Sequence, residues 1–213
     1  FFKMVVELPN LDHLSSKDYQ DIYEPAEDTY LFVDALDEQK TFISKLNPHR
    51  IVELGPGSGA ISTFLASRFP SSSFIAIDIN PKAVEATRKT AKYNNVGNID
   101  VIQGSLLDCI HDNSVDILMF NPPYVPSEPE EMDSSGIEAA WAGGIDGREI
   151  IDKLLPDVSR ILSENGCFYL LLERQNKPKE VTRMMSRLGF SHKMIMEKKA
   201  FNEYLFIYRF RRK

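Results

Sequence analysis

The chain is 213 residues long, 43% hydrophobic and 26% charged, which suits one globular domain with a full core. A formal net charge of −6 excludes the broad basic surface used in tight, non-specific duplex binding. The two cysteines, Cys109 and Cys167, have no CxxC or Cys/His spacing and the four histidines (His13, His49, His111, His192) are scattered, so no metal site is predicted.

In chain order, Arg50–Leu54 is predicted as a short buried strand, broken by Gly55-Pro56-Gly57-Ser58-Gly59. Ala60–Phe69 then places Ile61, Phe64, Leu65 and Phe69 at helical spacing. Ser73–Ile77 is a second strand with Asp78 at its end. Asn80 caps, and Pro81 opens, a helix that runs to about Tyr93 and is closed by Gly97. Ile99–Gln103 makes a third strand, and the apolar run Val115–Phe120 a fourth, buried on both faces. An acidic stretch follows, with Glu128, Glu130, Glu131, Asp133 and Glu138. Gly147–Leu162 is predicted as a helix, and Gly166 opens a strand over Cys167–Leu172. Lys179–Leu188 is a helix closed by Gly189, and Phe190–Glu197 pairs antiparallel with Tyr204–Phe210. The terminal basic cluster Arg209, Arg211, Arg212 and Lys213 reads equally well as a solvated tail.

This alternation gives an α/β fold, a mostly parallel sheet with helices on both faces. One domain is expected over residues 1–213. Residues 1–22 form an amino-terminal extension, expected to be partly disordered, and 23–213 the core. No apolar stretch reaches the length of a membrane span, and Phe1–Leu8 is too short and too soon followed by acid for a signal peptide. Reduced thiols in a cytoplasmic or nuclear setting are the expectation. Ligands of such sheets bind at the carboxyl ends of the strands, where the Gly loop, Asp78, Gly104-Ser105 and Asn121 all fall.

Asn121-Pro122-Pro123-Tyr124, directly after the fourth strand, carries the most chemistry. Two prolines fix φ near −65° twice and remove two donors, so the chain leaves the strand on a stiff path. The carbonyls of Asn121 and Pro122, the Asn121 side chain and the Tyr124 ring make a cradle for a planar group bearing an NH2, either a side-chain amide or the exocyclic amine of a base.

The glycine loop is less specific. Gly55-x-Gly57-x-x-Ala60, with Asp78 at about the right distance, also fits a dinucleotide site. Glu53 separates the readings, because a pyrophosphate disfavours a carboxylate beside its loop. S-adenosylmethionine, which carries an ammonium and a sulfonium but no phosphate, suits it. Asp78 would then take the ribose hydroxyls, and Ser105-Leu106 would border the adenine.

Glu53-Leu54-Gly55-Pro56-Gly57-Ser58-Gly59, Asp78 and Asn121-Pro122-Pro123-Tyr124 together resemble the class I methyltransferases of the protein-glutamine type. Tyr23-Glu24-Pro25-Ala26-Glu27-Asp28-Thr29 and Gly136–Gly144 (GIEAAWAGG) narrow this to the short eukaryotic and archaeal release-factor glutamine methyltransferases, related to HemK and PrmC. The resemblance covers about Tyr19 to the end. It implies a Rossmann-like fold with a seven-stranded, mostly parallel sheet and an antiparallel final strand. It also implies cofactor contacts at Thr29, Glu53, Gly55, Gly57, Gly59, Asp78, Ser105, Leu106 and Asn121. The family often has Asp where Ser105 stands. Catalysis falls to Asn121, Pro122 and Tyr124, with Pro123 added for substrate binding. A small zinc-binding activator subunit is implied, and so is the Gly-Gly-Gln motif of the class 1 translation termination factor as substrate.

An amide nitrogen is a weak nucleophile, so the cradle would act by positioning it for in-line attack on the methyl group. Competing readings are an adenine amino-methyltransferase on DNA or RNA, a protein-lysine methyltransferase, and a non-catalytic scaffold; the acidic mouth disfavours the first. The strand Ile99–Gln103 is expected at the sheet edge, with Ile99, Val101 and Ile102 apolar and Asp100 its only charge. The activator is expected to add a strand there.

Overall fold

The computed structural model describes residues 6–128, 131 and 137–213, the side chains of Glu138 and Ala139 excepted. Seven strands form one sheet: β1 (Arg50–Leu54), β2 (Ser73–Asp78), β3 (Ile99–Gln103), β4 (Val115–Phe120), β5 (Leu162–Glu173), β6 (Phe190–Ala200) and β7 (Glu203–Arg212). Their order is β3-β2-β1-β4-β5-β7-β6. β1 to β5 run parallel, and β7 lies antiparallel between β5 and β6. β3 is thus an edge strand, as expected.

Helices α1 (Glu27–Glu38), α2 (Lys40–Leu46), α3 (Ala60–Arg68), α4 (Pro81–Tyr93), α5 (Glu149–Ile161) and α6 (Pro178–Arg187) surround the sheet. Right-handed crossovers put α3 and α4 on one face and α5 and α6 on the other. Phe32 and Leu36 of α1 and Phe64 and Leu65 of α3 pack on Ile51, Ile117 and Tyr169. On the opposite face Ile151, Leu154 and Val158 of α5 and Val181 and Met185 of α6 pack on Val52, Leu118 and Phe168. All fifteen of these side chains are at most 1% exposed, and burying each contributes roughly 1.5–3 kcal/mol. Among the described residues, no helix is long and apolar enough to cross a membrane.

The element boundaries differ from the sequence expectation in three places. β5 begins at Leu162, opposite Val115, with a register shift between Val115 and Ile117. Gly166 therefore sits inside the strand, where the β4 backbone comes so near that a Cβ would lie 2.8 Å from the Val115 carbonyl oxygen. α5 starts at Glu149, because Gly147 has φ +65° and cannot be helical. β6 and β7 extend to Ala200 and Glu203, leaving Phe201 and Asn202 as a two-residue turn. The sequence reading also assigned no helix to α1 or α2.

The terminal basic residues are not a solvated tail. Arg209 donates to Gln39 Oε1 at 2.6 Å and stacks over Phe42, while Arg212 bonds the Leu162 carbonyl at 3.2 Å. Residues 6–22 lie along α4: Asn10 and Asn94 exchange two 2.8 Å hydrogen bonds, His13 meets Thr90 at 3.0 Å, and Leu14 and Ile22 bury against Ala83 and Ala86. Of the acidic stretch, Glu128 and Glu131 are described; Glu130, Asp133 and the Glu138 side chain lie outside the described residues.

Candidate active site

The order of the sheet reverses at β1, whose neighbours are β2 and β4. Beyond the carboxyl ends of these strands opens a cavity of about 800 Å³. Thr29, Glu53, Gly55, Gly57, Asp78, Ser105, Leu106, Asn121, Pro122, Pro123 and Tyr124 all line it. Gly59 does not. It sits at the α3 N-cap with φ +79°, and a Cβ there would lie 2.8 Å from Thr87 Cα, so the third glycine serves the close approach of α3 to α4.

At the end of β1, Glu53 is 2% exposed and accepts a hydrogen bond from Ser62 Oγ. Burial raises its pKa to about 7; the Asp78 charge pushes the same way and Ser62 opposes. Asp78, at the end of β2, is also raised by burial, against hydrogen bonds from the backbone N–H groups of Asn80 (2.9 Å) and Gly57 (3.2 Å). No cation pairs with either carboxylate among the described residues. A ligand bearing positive charge would therefore meet two carboxylates that lack one. Ser105 is exposed at the rim, followed by Leu106 with φ +46°.

On the other side of the cavity, Asn121 donates from Nδ2 to Asp28 Oδ2 at 2.9 Å. A carboxylate bonded this way only accepts, so the bond fixes which end of the Asn121 amide is the donor. Asn121 Oδ1 is left buried with no protein partner among the described residues. Such an acceptor is costly unless a ligand fills it. Asp28 is itself 3% exposed, and its Oδ1 accepts from Thr29 N (2.7 Å) and Tyr23 OH (3.2 Å). Pro122 is buried, and nothing among the described residues donates to its carbonyl.

Tyr124 is 7% exposed, and its hydroxyl donates to Glu203 Oε2 at 3.2 Å. Burial and the nearby acids Asp28 and Glu203 raise the Tyr124 pKa, and burial and Asp28 do the same for Tyr23, so both stay protonated donors. Burial likewise raises Glu203. The Tyr124 carbonyl is clamped from behind by Asn176 Nδ2 at 2.8 Å, which also bonds the carbonyls of Asp146 and Gly147. The path out of β4 is thus held at both ends.

Sequence reasoning brought the strand-end residues together correctly but did not assign roles to Asp28, Asn176 or Glu203. Asp28 lies inside the Tyr23–Thr29 segment, so a signal for it existed. Asn176 and Glu203 stand beyond β5 and at the start of β7, with no local pattern pointing to the site.

The fold and this cleft define a Rossmann-like methyltransferase. The model of the methyltransferase small domain family matches residues 27–136. Methyltransferase HEMK2 of Mus musculus is 39% identical over 212 residues, covering 96% of both chains. The eRF1 methyltransferase catalytic subunit mtq2 of Schizosaccharomyces pombe is 37% identical over 96% of this chain and 95% of its own. The E. cuniculi Mtq2–Trm112 complex, responsible for methylation of the eRF1 translation termination factor, has a structure similar at a TM-score of 0.72 and 31% identity, over 91% of this chain and 99% of that one. A ribosomal protein L11 methylase from Lactobacillus delbrueckii, at 19% identity and a TM-score of 0.62, shares the fold. The chain belongs to the methyltransferase small domain family, as a class I S-adenosylmethionine-dependent methyltransferase of the HemK type.

Proposed function

We propose that the chain is a catalytic subunit that methylates the side-chain nitrogen of a glutamine, that of the Gly-Gly-Gln motif in the class 1 translation termination factor. The observation that carries this reading is Asn121, with Nδ2 anchored on Asp28 and Oδ1 buried and unpartnered beside the free Pro122 carbonyl. Two acceptors side by side match the two N–H groups of a primary amide. The Tyr124 ring would hold the plane of that amide.

S-adenosylmethionine fits the opposite half of the cavity, where Glu53 and Asp78 lack a cation; when bound it supplies a methyl group on a sulfonium. Thr29, Gly55, Gly57, Ser105 and Leu106 complete the pocket we assign to it. Asn121 and Pro122 orient the acceptor nitrogen and hold it without solvent, and positioning of this kind contributes up to about 7–11 kcal/mol. An adenine acceptor is less well served. Among the described residues, Asp28, Glu53, Asp78 and Glu203 line the cavity against a single cationic side chain, Lys153, and a flipped base needs a basic backbone groove.

We further propose a small zinc-binding activator subunit paired along β3. The likeness to the Mtq2–Trm112 complex supports a partner. The bonds Phe74 N to Asn98 O and Gly104 N to Asp78 O turn the backbone groups of the even-numbered residues of β3 toward β2, so the Val101 N–H and C=O point away from the sheet while its side chain stays buried. Its carbonyl accepts from Arg88 Nη2 at 2.6 Å, a side-chain guard on an otherwise open edge.

Mass spectrometry of the intact termination factor after incubation with the co-expressed complex and S-adenosylmethionine tests the function. Addition of one methyl group to the Gly-Gly-Gln glutamine is expected, with its loss in Asn121→Ala. Methylation of an adenine-containing duplex but not of the factor would overturn it.

A further inference from the structure

Next to the main cavity lies a second one of about 370 Å³. Tyr23, Asp28, Tyr124 and Glu203 line both, so the two form one depression divided by these side chains. One wall of the second cavity is the start of α1, and the other is the tip of the β6–β7 hairpin. At that tip Phe201 is 93% exposed, with φ +50°. Two-residue hairpin turns with positive φ are the place for Gly, Asn or Asp. A bulky side chain in the left-handed region is strained, and here, with the ring in solvent, no packing offsets it. An aromatic ring kept in solvent at that cost, beside the catalytic mouth, is an interface anchor without its partner.

We propose that the hairpin tip is the docking surface for the polypeptide that carries the acceptor amide, with Phe201 packing against residues next to the acceptor. This rests on the function proposed above. A glutamine side chain spans only about 5 Å from Cα to its amide nitrogen, given bonds of about 1.5 Å. An amide held at Asn121 therefore keeps its own backbone at the mouth, where Tyr124 and Glu203 separate the two cavities. The walls suit a polypeptide. Glu203 accepts from Tyr124 with Oε2 only, and Glu27 on the rim is paired with Lys198, so carboxylate oxygens remain for backbone N–H groups or a basic side chain. A second copy of the chain seated there would close the entrance to its own acceptor site.

The test uses Phe201→Gly and Phe201→Ala in the chain co-expressed with its activator. Glycine accepts the turn's φ, so Phe201→Gly keeps or raises the melting temperature while removing the ring. The KM for the intact termination factor should rise about tenfold in both variants, the order expected for losing one aromatic anchor, with kcat and the Kd for S-adenosylmethionine unchanged. A KM within about twofold of wild type in Phe201→Gly overturns the docking surface and leaves the function standing. A lower melting temperature in Phe201→Gly gives the ring a structural role and also overturns it. A wild-type complex inactive on the factor overturns the function itself, and with it the occupant assigned here.

Discussion

The 2.9 Å bond from Asn121 Nδ2 to Asp28 Oδ2 joins residues ninety-three positions apart and settles the orientation of one amide. With Asp28 in place, Asn121 presents only its oxygen to the cavity. In Asp28→Ala the amide is free to turn, and half of its orientations offer the substrate a donor instead of an acceptor. We expect kcat to fall about 30- to 100-fold, less than in Asn121→Ala, with KM for the termination factor changed far less. Steady-state kinetics on the co-expressed complex decides this. An Asp28→Ala enzyme with wild-type kcat would show that the bond does not govern the reaction.

Glu53 predicts a pH dependence with a definite sign. Its folded pKa of about 7 lies above its ordinary value of 4.5, so its protonated form favours the fold. That contribution is complete below about 4.5 and is lost as pH rises through about 7, an effect on the order of 3 kcal/mol. Glu53→Gln, neutral throughout, should melt higher than wild type at about pH 8, and the gap should shrink as pH falls toward about 5. The same variant should bind S-adenosylmethionine at least about tenfold more weakly. Thermal melts across that range and calorimetric titration check both parts; a variant less stable than wild type at the alkaline end would contradict the first.

Gly147 is pressed against the back of the cradle. A Cβ there would lie 1.9 Å from the Tyr124 carbonyl oxygen and 2.7 Å from Asn176 Nδ2, at φ +65°. Gly147→Ala should cost about 3 kcal/mol or more and lower activity by displacing Tyr124. Urea denaturation measures the first; a loss below about 1 kcal/mol would mean the loop yields freely.

Arg88 guards the outward carbonyl of Val101. Arg88→Ala should make the isolated chain aggregate more readily, while the co-expressed complex stays soluble and its affinity for the activator is equal or higher. Light scattering with and without the partner tests this. Activator binding lost in Arg88→Ala would mean that Arg88 contacts the partner and does not shield the edge from it.

Much of this was legible in the chain. Strand-end positions such as Glu53, Asp78 and Asn121 announce themselves because short apolar runs, Gly and Pro punctuate the sequence where the sheet ends. The α4 start was readable from Asn80-Pro81, and Asn80 Oδ1 does accept from Lys82 N at 2.8 Å. What escaped depends on partners distant in sequence. Asn176 spends its amide on three carbonyls about thirty to fifty residues upstream, and Glu203, at the start of β7, reaches Tyr124 past the end of β5. Gly166 was misread because a bulge and a strand start carry the same local sign. Arg209 and Arg212 were ambiguous because charge alone does not tell a tail from residues bonded into the fold.

The order β3-β2-β1-β4-β5-β7-β6 puts β3 and β6 at opposite ends of the sheet. On the proposals made above, the activator takes the first and the substrate the hairpin of the second, and the two do not compete for space. A partner so placed would remain through successive turnovers while the proposed substrate arrives and leaves, so raising its concentration should saturate the rate without ever becoming inhibitory.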